Sequence, residues 1–112
     1  MVIVFKTAKL RKECNEEKLL VKKQGTRRAE LLKMRLNQMR ASNSLEDLRK
    51  LPQLRCHELK GDRKGQLSVD LDHPYRLIFE PANNPVPKKR DGGLDWAKVT
   101  EIMIIGIEDT HE

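Results

Sequence analysis

Aromatic side chains are scarce in this chain: one Trp, one Tyr and two Phe make up 4% of 112 residues. Proteins that hold single-stranded nucleic acid by stacking bases on aromatic platforms need more, so any nucleic-acid contact here must run through phosphates. Cysteine is also rare. Cys14 and Cys56 form no CxxC, and Cys14 has no second ligand at metal-site spacing. This predicts reduced thiols and no structural zinc. No apolar run reaches the roughly 18–20 residues needed to span a bilayer. The opening Met1-Val2-Ile3-Val4-Phe5-Lys6 lacks the long apolar stretch and small-residue cleavage site of a signal peptide. The expectation is a cytoplasmic protein with no membrane partner. GxGxxG, P-loop, GxSxG and HExxH motifs are missing too, which removes the cofactor, nucleotide, serine-hydrolase and zinc-peptidase chemistries tied to them.

Charge is what the chain has in excess: 36% of residues are charged and the net charge is +6. Its distribution is uneven. Residues 1–64 hold 18 Lys and Arg against 8 Asp and Glu, whereas residues 65–112 hold 5 against 9. The basic half suits a polyanion; a solvated basic helix surface is the alternative. The length predicts one domain, residues 1–112.

Periodicity supplies the elements. Val2–Phe5 reads as a short buried strand. Ala8 to about Lys23 reads as one helix opened by Thr7 and closed by Gly25. Thr26 is placed as the cap of a second helix, with Ala29, Leu32, Leu36 and Met39 on its apolar face and Arg27, Arg28, Lys33, Arg35 and Arg40 on the other. Ser44 and Asp47 resemble a capping box for one further turn over Leu45–Lys50. Then Gln66–Leu71 alternates, with Leu67, Val69 and Leu71 on one side, and Tyr75–Phe79 follows as another strand after the Asp72-His73-Pro74 corner. Residues 82–93, rich in Pro and Gly, read as a loop. From about Val99 the run through Ile102, Ile104 and Ile107 reads as an interior strand covered on both faces. The fold class predicted is α+β: two N-terminal helices packed on one face of a four- to five-stranded, mainly antiparallel sheet.

The candidate chemistry is sparse. His57 stands three residues before Lys60, Arg76 lies inside an apolar strand, and Asp109 lies two residues before His111. His73 is read as a turn residue. An Asp near a His fixes its tautomer and raises its basicity. Arg76 either pairs with Asp70 or Asp72 or points at an anion. Two His, a Lys, an Arg and an Asp are the residue types needed to cleave RNA by internal transphosphorylation: a base for the 2′-OH, an acid for the 5′-oxygen, and cations for the phosphorane.

Four segments carry a resemblance: Cys56-His57-Glu58-Leu59-Lys60-Gly61-Asp62, Gly65-Gln66-Leu67-Ser68-Val69, His73-Pro74-Tyr75-Arg76-Leu77-Ile78-Phe79 and Gly106-Ile107-Glu108-Asp109-Thr110-His111. Together they resemble the RelE/HigB superfamily of type II toxin–antitoxin toxins, most closely its plasmid maintenance killer proteins. The resemblance implies a ribosome-dependent mRNA endoribonuclease that uses no metal or cofactor. It also implies a helix-turn-helix, HigA-like antitoxin as partner. On this reading His57, Lys60, Arg76, Asp109 and His111 form the catalytic set. Arg63, Lys64, Tyr75, Arg27, Arg28, Arg35 and Arg40 are the candidate RNA contacts. Better-known HigB members place a tyrosine where Thr110 stands, and some carry an extra arginine on the strand that here reads Val69-Asp70-Leu71-Asp72. The rivals are a ParE-like gyrase inhibitor of the same fold, which generally lacks the His and Lys set, and an inactive basic RNA- or ribosome-binding module.

Overall fold

Thr7 makes the first corner: its Oγ1 accepts the Leu10 N–H at 3.1 Å, separating strand β1 (Val2–Phe5) from helix α1 (Ala8–Asn15). The structure, a computed structural model, describes residues 1–109. The single helix expected to run to Lys23 is divided. Glu16 takes an extended conformation (φ −99°, ψ 111°), and α2 (Glu17–Gln24) starts afresh. On one straight helix Cys14 and Leu20 would lie about 120° apart; the break lets both reach the core, where they are 6% and 1% exposed. Gly25, at φ 79°, then joins α2 to α3 (Thr26–Ala41). That conformation suits glycine, so Gly25 rather than Thr26 occupies the cap position. On α3 the expected stripe of Ala29, Leu32, Leu36 and Met39 is buried throughout. A single turn, α4 (Glu46–Arg49), follows, and Asp47 reaches back to accept the Asn43 N–H at 2.9 Å.

The remaining strands are β2 (His57–Glu58), β3 (Leu67–Asp70), β4 (Tyr75–Pro81) and β5 (Glu101–Asp109). They form one five-stranded sheet in the order β1-β5-β4-β3-β2. The α+β class expected from the sequence is therefore present. The sheet is mixed: β1 runs parallel to β5, and the other pairings are antiparallel. One face packs against the helices. Leu67, Val69, Leu77, Phe79, Ile102 and Ile104 from the strands join Leu32, Leu36 and Met39 in a single apolar cluster.

The other face is only partly covered, which corrects two expectations. Val2 and Val4 are 55% and 42% exposed, so β1 is an edge strand with one open face. β5 is interior in strand order, yet Met103 and Ile105 on it are only half-buried. The 82–93 loop is tied down at its start, where Asn83 Oδ1 accepts the Thr100 and Glu101 N–H groups, both at 3.0 Å.

Both thiols are free. Burial pushes Cys14 up to about 11, with Glu13 adding to it, and pushes Cys56 up to about 12. At pH 8 the reactive thiolate is thus suppressed in the native state. Iodoacetamide labelling is expected to run about a hundredfold or more slower than in denaturant. Mass spectrometry of timed aliquots checks this; equal rates would show that the thiols are not shielded.

Candidate active site

Strand register decides which candidate residues share a face. His57 lies opposite Ser68, Ser68 opposite Ile78, and Ile78 opposite Gly106. One step along, Asp70 lies opposite Arg76, and Arg76 opposite Glu108. Because neighbours across a sheet point the same way, His57, Ser68, Asp70, Arg76, Ile78 and Glu108 all project from the face away from the helices. Tyr75 and Asp109, opposite each other, belong to the helix-facing side. The last strand thus adjoins the Arg76 strand along seven residue pairs. His57 stands three strand spacings, about 14 Å, from β5.

The turn between β2 and β3 spans that gap. Arg63 of the 3₁₀ turn Gly61–Arg63 makes two hydrogen bonds to the Glu108 carboxylate on β5, one of them Nη1 to Oε2 at 3.1 Å, and a third to Gln66. The segment bearing Lys60 therefore folds over the open face toward β5. Leu59 and Ile78 are 3% and 0% exposed, yet neither belongs to the main core cluster. Ile78 faces away from the helices, and by strand alternation so does Leu59. The hydrogen bonds from Arg63 hold the Glu108 carboxyl below the usual carboxylate range.

His57 is oriented by its own backbone. Nδ1 lies 2.8 Å from the carbonyl oxygen of Arg55. A carbonyl only accepts, so Nδ1 carries the proton in this bond, and in the neutral ring Nε2 is the acceptor. The carbonyl is aimed by Arg55 itself, which sits at φ 46°, the one non-glycine with positive φ among the described residues. Such left-handed backbone is strained for a side chain with a Cβ.

Asp70 is the hub of the face. Its carboxylate lies 3.4 Å from Arg76 Nε and 3.5 Å from Arg55 Nη1, and its backbone oxygen accepts Arg35 Nε at 2.8 Å. Of the two acids expected to compete for Arg76, Asp70 takes it. Arg76 is 8% exposed, and its Nη1, together with Ser68 Oγ and Asp70 Oδ1, is buried without a hydrogen-bond partner among the described residues. A cavity of about 30 Å³ beside them, lined by Arg55, Asp70, His73, Tyr75 and Arg76, has room for about one water molecule.

The helix arginines divide three ways. Arg35 corrects the expectation of a solvated basic face: it is 7% exposed and bonded to Asp70, tying α3 to β3. Arg28 is engaged by the β3–β4 corner. It donates from Nε and Nη2 to Asp72 at 2.8 and 3.1 Å, and its guanidinium stacks 3.4 Å above the Tyr75 ring. Arg27 and Arg40 are exposed, but thirteen positions along α3 separate them by about 20 Å. Lys64 is exposed beside Gly65, and Lys60 is exposed on the crossing turn. His111 lies outside the described residues. Sequence reasoning offered Asp70 to Arg76 but missed its contacts with Arg35 and Arg55, the pairing of Asp72 with Arg28 and that of Glu108 with Arg63, because nothing local marks which carboxylate meets which arginine.

The Arg28 pair has a pH signature. Hydrogen bonding from Arg28 holds the Asp72 carboxyl below its ordinary value. A group depressed in the folded state adds stability above its unfolded pKa, near 4, and that contribution is lost as pH falls through the folded value. Asp72→Asn is expected to cost about 1 kcal/mol at pH 7, the pair being partly exposed. The gap from wild type should shrink toward pH 3. Urea unfolding at both pH values checks this; a gap that widens in acid contradicts the assignment.

A helix-backed, five-stranded mixed sheet makes this a small α+β protein with an architecture consistent with the RelE-like fold. The match to a family model agrees: residues 4–89 fit the HigB-like toxins, described as RelE-like toxins of the type II toxin–antitoxin system HigB, and the chain belongs to that family. Membership makes an antitoxin its partner. The matched segment includes His57, Lys60 and Arg76 and stops before β5 and Asp109. A search of curated proteins gives no match.

Proposed function

We propose that this chain is a cytoplasmic mRNA endoribonuclease that acts on the ribosome and halts translation until a helix-turn-helix antitoxin captures it. The observation that carries this reading is the orientation of His57. With Nδ1 committed to Arg55, the neutral ring offers its Nε2 lone pair from the strand face that Arg76 shares. In the proposed mechanism one imidazole of the His57 and His111 pair removes the 2′-OH proton. The 2′-oxygen then attacks the adjacent phosphorus, the bond to the 5′-oxygen breaks, and the other group returns a proton to that leaving oxygen. The products are a 2′,3′-cyclic phosphate and a 5′-hydroxyl end. Arg76 and Lys60 stabilise the charge that builds on the phosphorane; Asp109, which the register sets on the opposite face at the end of β5, has its proposed role of orienting His111 from the family resemblance alone. The electrons and protons balance within the RNA and the two acid–base groups, so the step uses no metal or cofactor.

The test is induction of the chain in growing cells with 5′-end mapping of mRNA, run beside a gyrase supercoiling assay on the purified protein. Codon-phased cuts that vanish in the His57→Ala plus His111→Ala variant are expected, with supercoiling unaffected. Growth arrest without cuts, together with blocked supercoiling, would replace this reading with gyrase inhibition. Neither arrest nor cuts, with salt-sensitive ribosome binding, would leave a plain RNA-binding module.

A further inference from the structure

The outer edge of β1 is an unprotected strand edge. Among the described residues β1 pairs only with β5. The Val2 N–H reaches Thr100 and the Lys6 N–H reaches Ile104, both at 3.0 Å. In a parallel ladder alternate residues bond to the same neighbour, so the N–H and C=O groups of Ile3 and Phe5 point away from the sheet. Edge strands are commonly blunted by a charge, a proline or a bulge; Val2–Phe5 has none of the three. A cleft of about 410 Å³ runs along this edge against α1 and the end of α3, lined by Ile3, Phe5, Lys6, Arg11, Asn15 and Arg40 among others. The charged lining is entirely cationic. Among the described residues no carboxylate lies within ion-pair distance of Lys6, Arg11 or Arg40.

We propose that this edge is an antitoxin-docking surface, where an extended acidic segment of the antitoxin joins the sheet as a sixth strand. The proposal rests on the family assignment for the existence of an antitoxin and goes beyond it in naming the contact. A peptide matches the edge better than a nucleic acid does. It offers N–H groups to the outward carbonyls of Ile3 and Phe5 as well as acceptors to their N–H groups, whereas a phosphate backbone offers acceptors alone. Its carboxylates meet the three cations, and its apolar side chains cover Val2 and Val4, which are otherwise exposed. His57, Lys60 and Arg76 lie at the β2–β3–β4 side of the sheet, and Asp109 lies at the end of β5 beyond the residues that pair with β1, so a strand added at β1 leaves these side chains free of direct contact.

Hydrogen exchange on the full chain, alone and co-expressed with the protein encoded beside it, tests the proposal. Amide exchange at Ile3 and Phe5 is expected to slow at least about tenfold in the complex. The triple reversal Lys6→Glu, Arg11→Glu, Arg40→Glu, at exposed positions, is expected to weaken the complex about 10–100-fold at low salt, the deficit shrinking as salt is added. Ile3→Pro, which removes an outward N–H and no β1–β5 bond, should weaken it as well. A complex that forms with both amides unprotected overturns the docking surface and leaves the antitoxin intact. No complex at all overturns both. Protection that appears in the free chain and grows with its concentration assigns the edge to a second copy, and protection by a single-stranded RNA oligonucleotide assigns it to nucleic acid; either result overturns the proposal.

Discussion

His57→Ala is expected to slow mRNA cleavage about 10²–10⁴-fold, the usual contribution of a positioned acid–base group. The fold should survive, because His57 is half-buried on a two-residue edge strand and belongs to no core cluster. Thermal unfolding midpoints of the two proteins should therefore agree closely. The loss should fall on kcat more than on KM, and one limb of the pH–rate profile should disappear, which a purely structural role would not cause. His57→Gln keeps polarity but cannot titrate, so it should be as inactive as alanine. Arg55→Gly supplies a contrast: glycine accepts the left-handed backbone without strain and preserves the carbonyl that orients the ring. It should retain far more activity than His57→Ala. Equal losses in the two variants would point to the Arg55 side chain and its contact with Asp70 rather than to the imidazole.

The second large effect is on stability. Phe79→Ala is expected to lower the unfolding free energy by about 3–5 kcal/mol, the range for truncating a fully buried phenylalanine. Phe79 is 0% exposed and sits on the central strand, opposite Leu67 on one side and Ile104 on the other. Its removal opens a void where three strands meet the helical layer, and close packing prevents the neighbours from filling it. With domain stabilities of about 5–15 kcal/mol, such a loss leaves the variant marginal. Phe79→Leu, with an expected cost of about 1–2 kcal/mol, keeps the comparison measurable if the alanine variant fails to fold. Val4→Ala, at an exposed position on β1, should stay within about 0.5 kcal/mol of wild type. Urea titrations of the three variants give the order directly; a Phe79→Ala loss no larger than that of Val4→Ala would place the core elsewhere.

The meander was legible because its information is local. Alternation in Gln66–Leu71 and Tyr75–Phe79 states which side chains face inward, and the turn chemistry between them states that they pair. The i, i+3, i+7 spacing of Ala29, Leu32, Leu36 and Met39 states the buried stripe of α3 in the same way. Leu67, Val69, Leu77, Phe79 and the α3 stripe are buried as the periods require, but Ser68, Arg76 and Ile78 on the opposite side of the same strands are buried too. The same periods erred where a global constraint intervened. Glu16 breaks a continuous helical pattern so that Cys14 and Leu20 reach one core, and Arg35 is drawn from a basic stripe to the end of β3.

The residue types of the candidate site could be read from the chain, but not their partners. Arg28 meets Asp72 across 44 positions, and Arg63 meets Glu108 across 45. Asp70 gathers Arg35, Arg55 and Arg76 from three separate segments. Sequence by itself determined the apolar stripes of α3, β3 and β4 that turn inward, and that a His, a Lys and an Arg lie on one meander. Only the tertiary structure decided which carboxylate holds each cation, which tautomer His57 adopts, and that β1 ends the sheet with an open edge. The physical reason is range: burial follows from a period a few residues long, whereas an ion pair, a tautomer or a free strand edge depends on register between segments that meet only after the whole chain has folded.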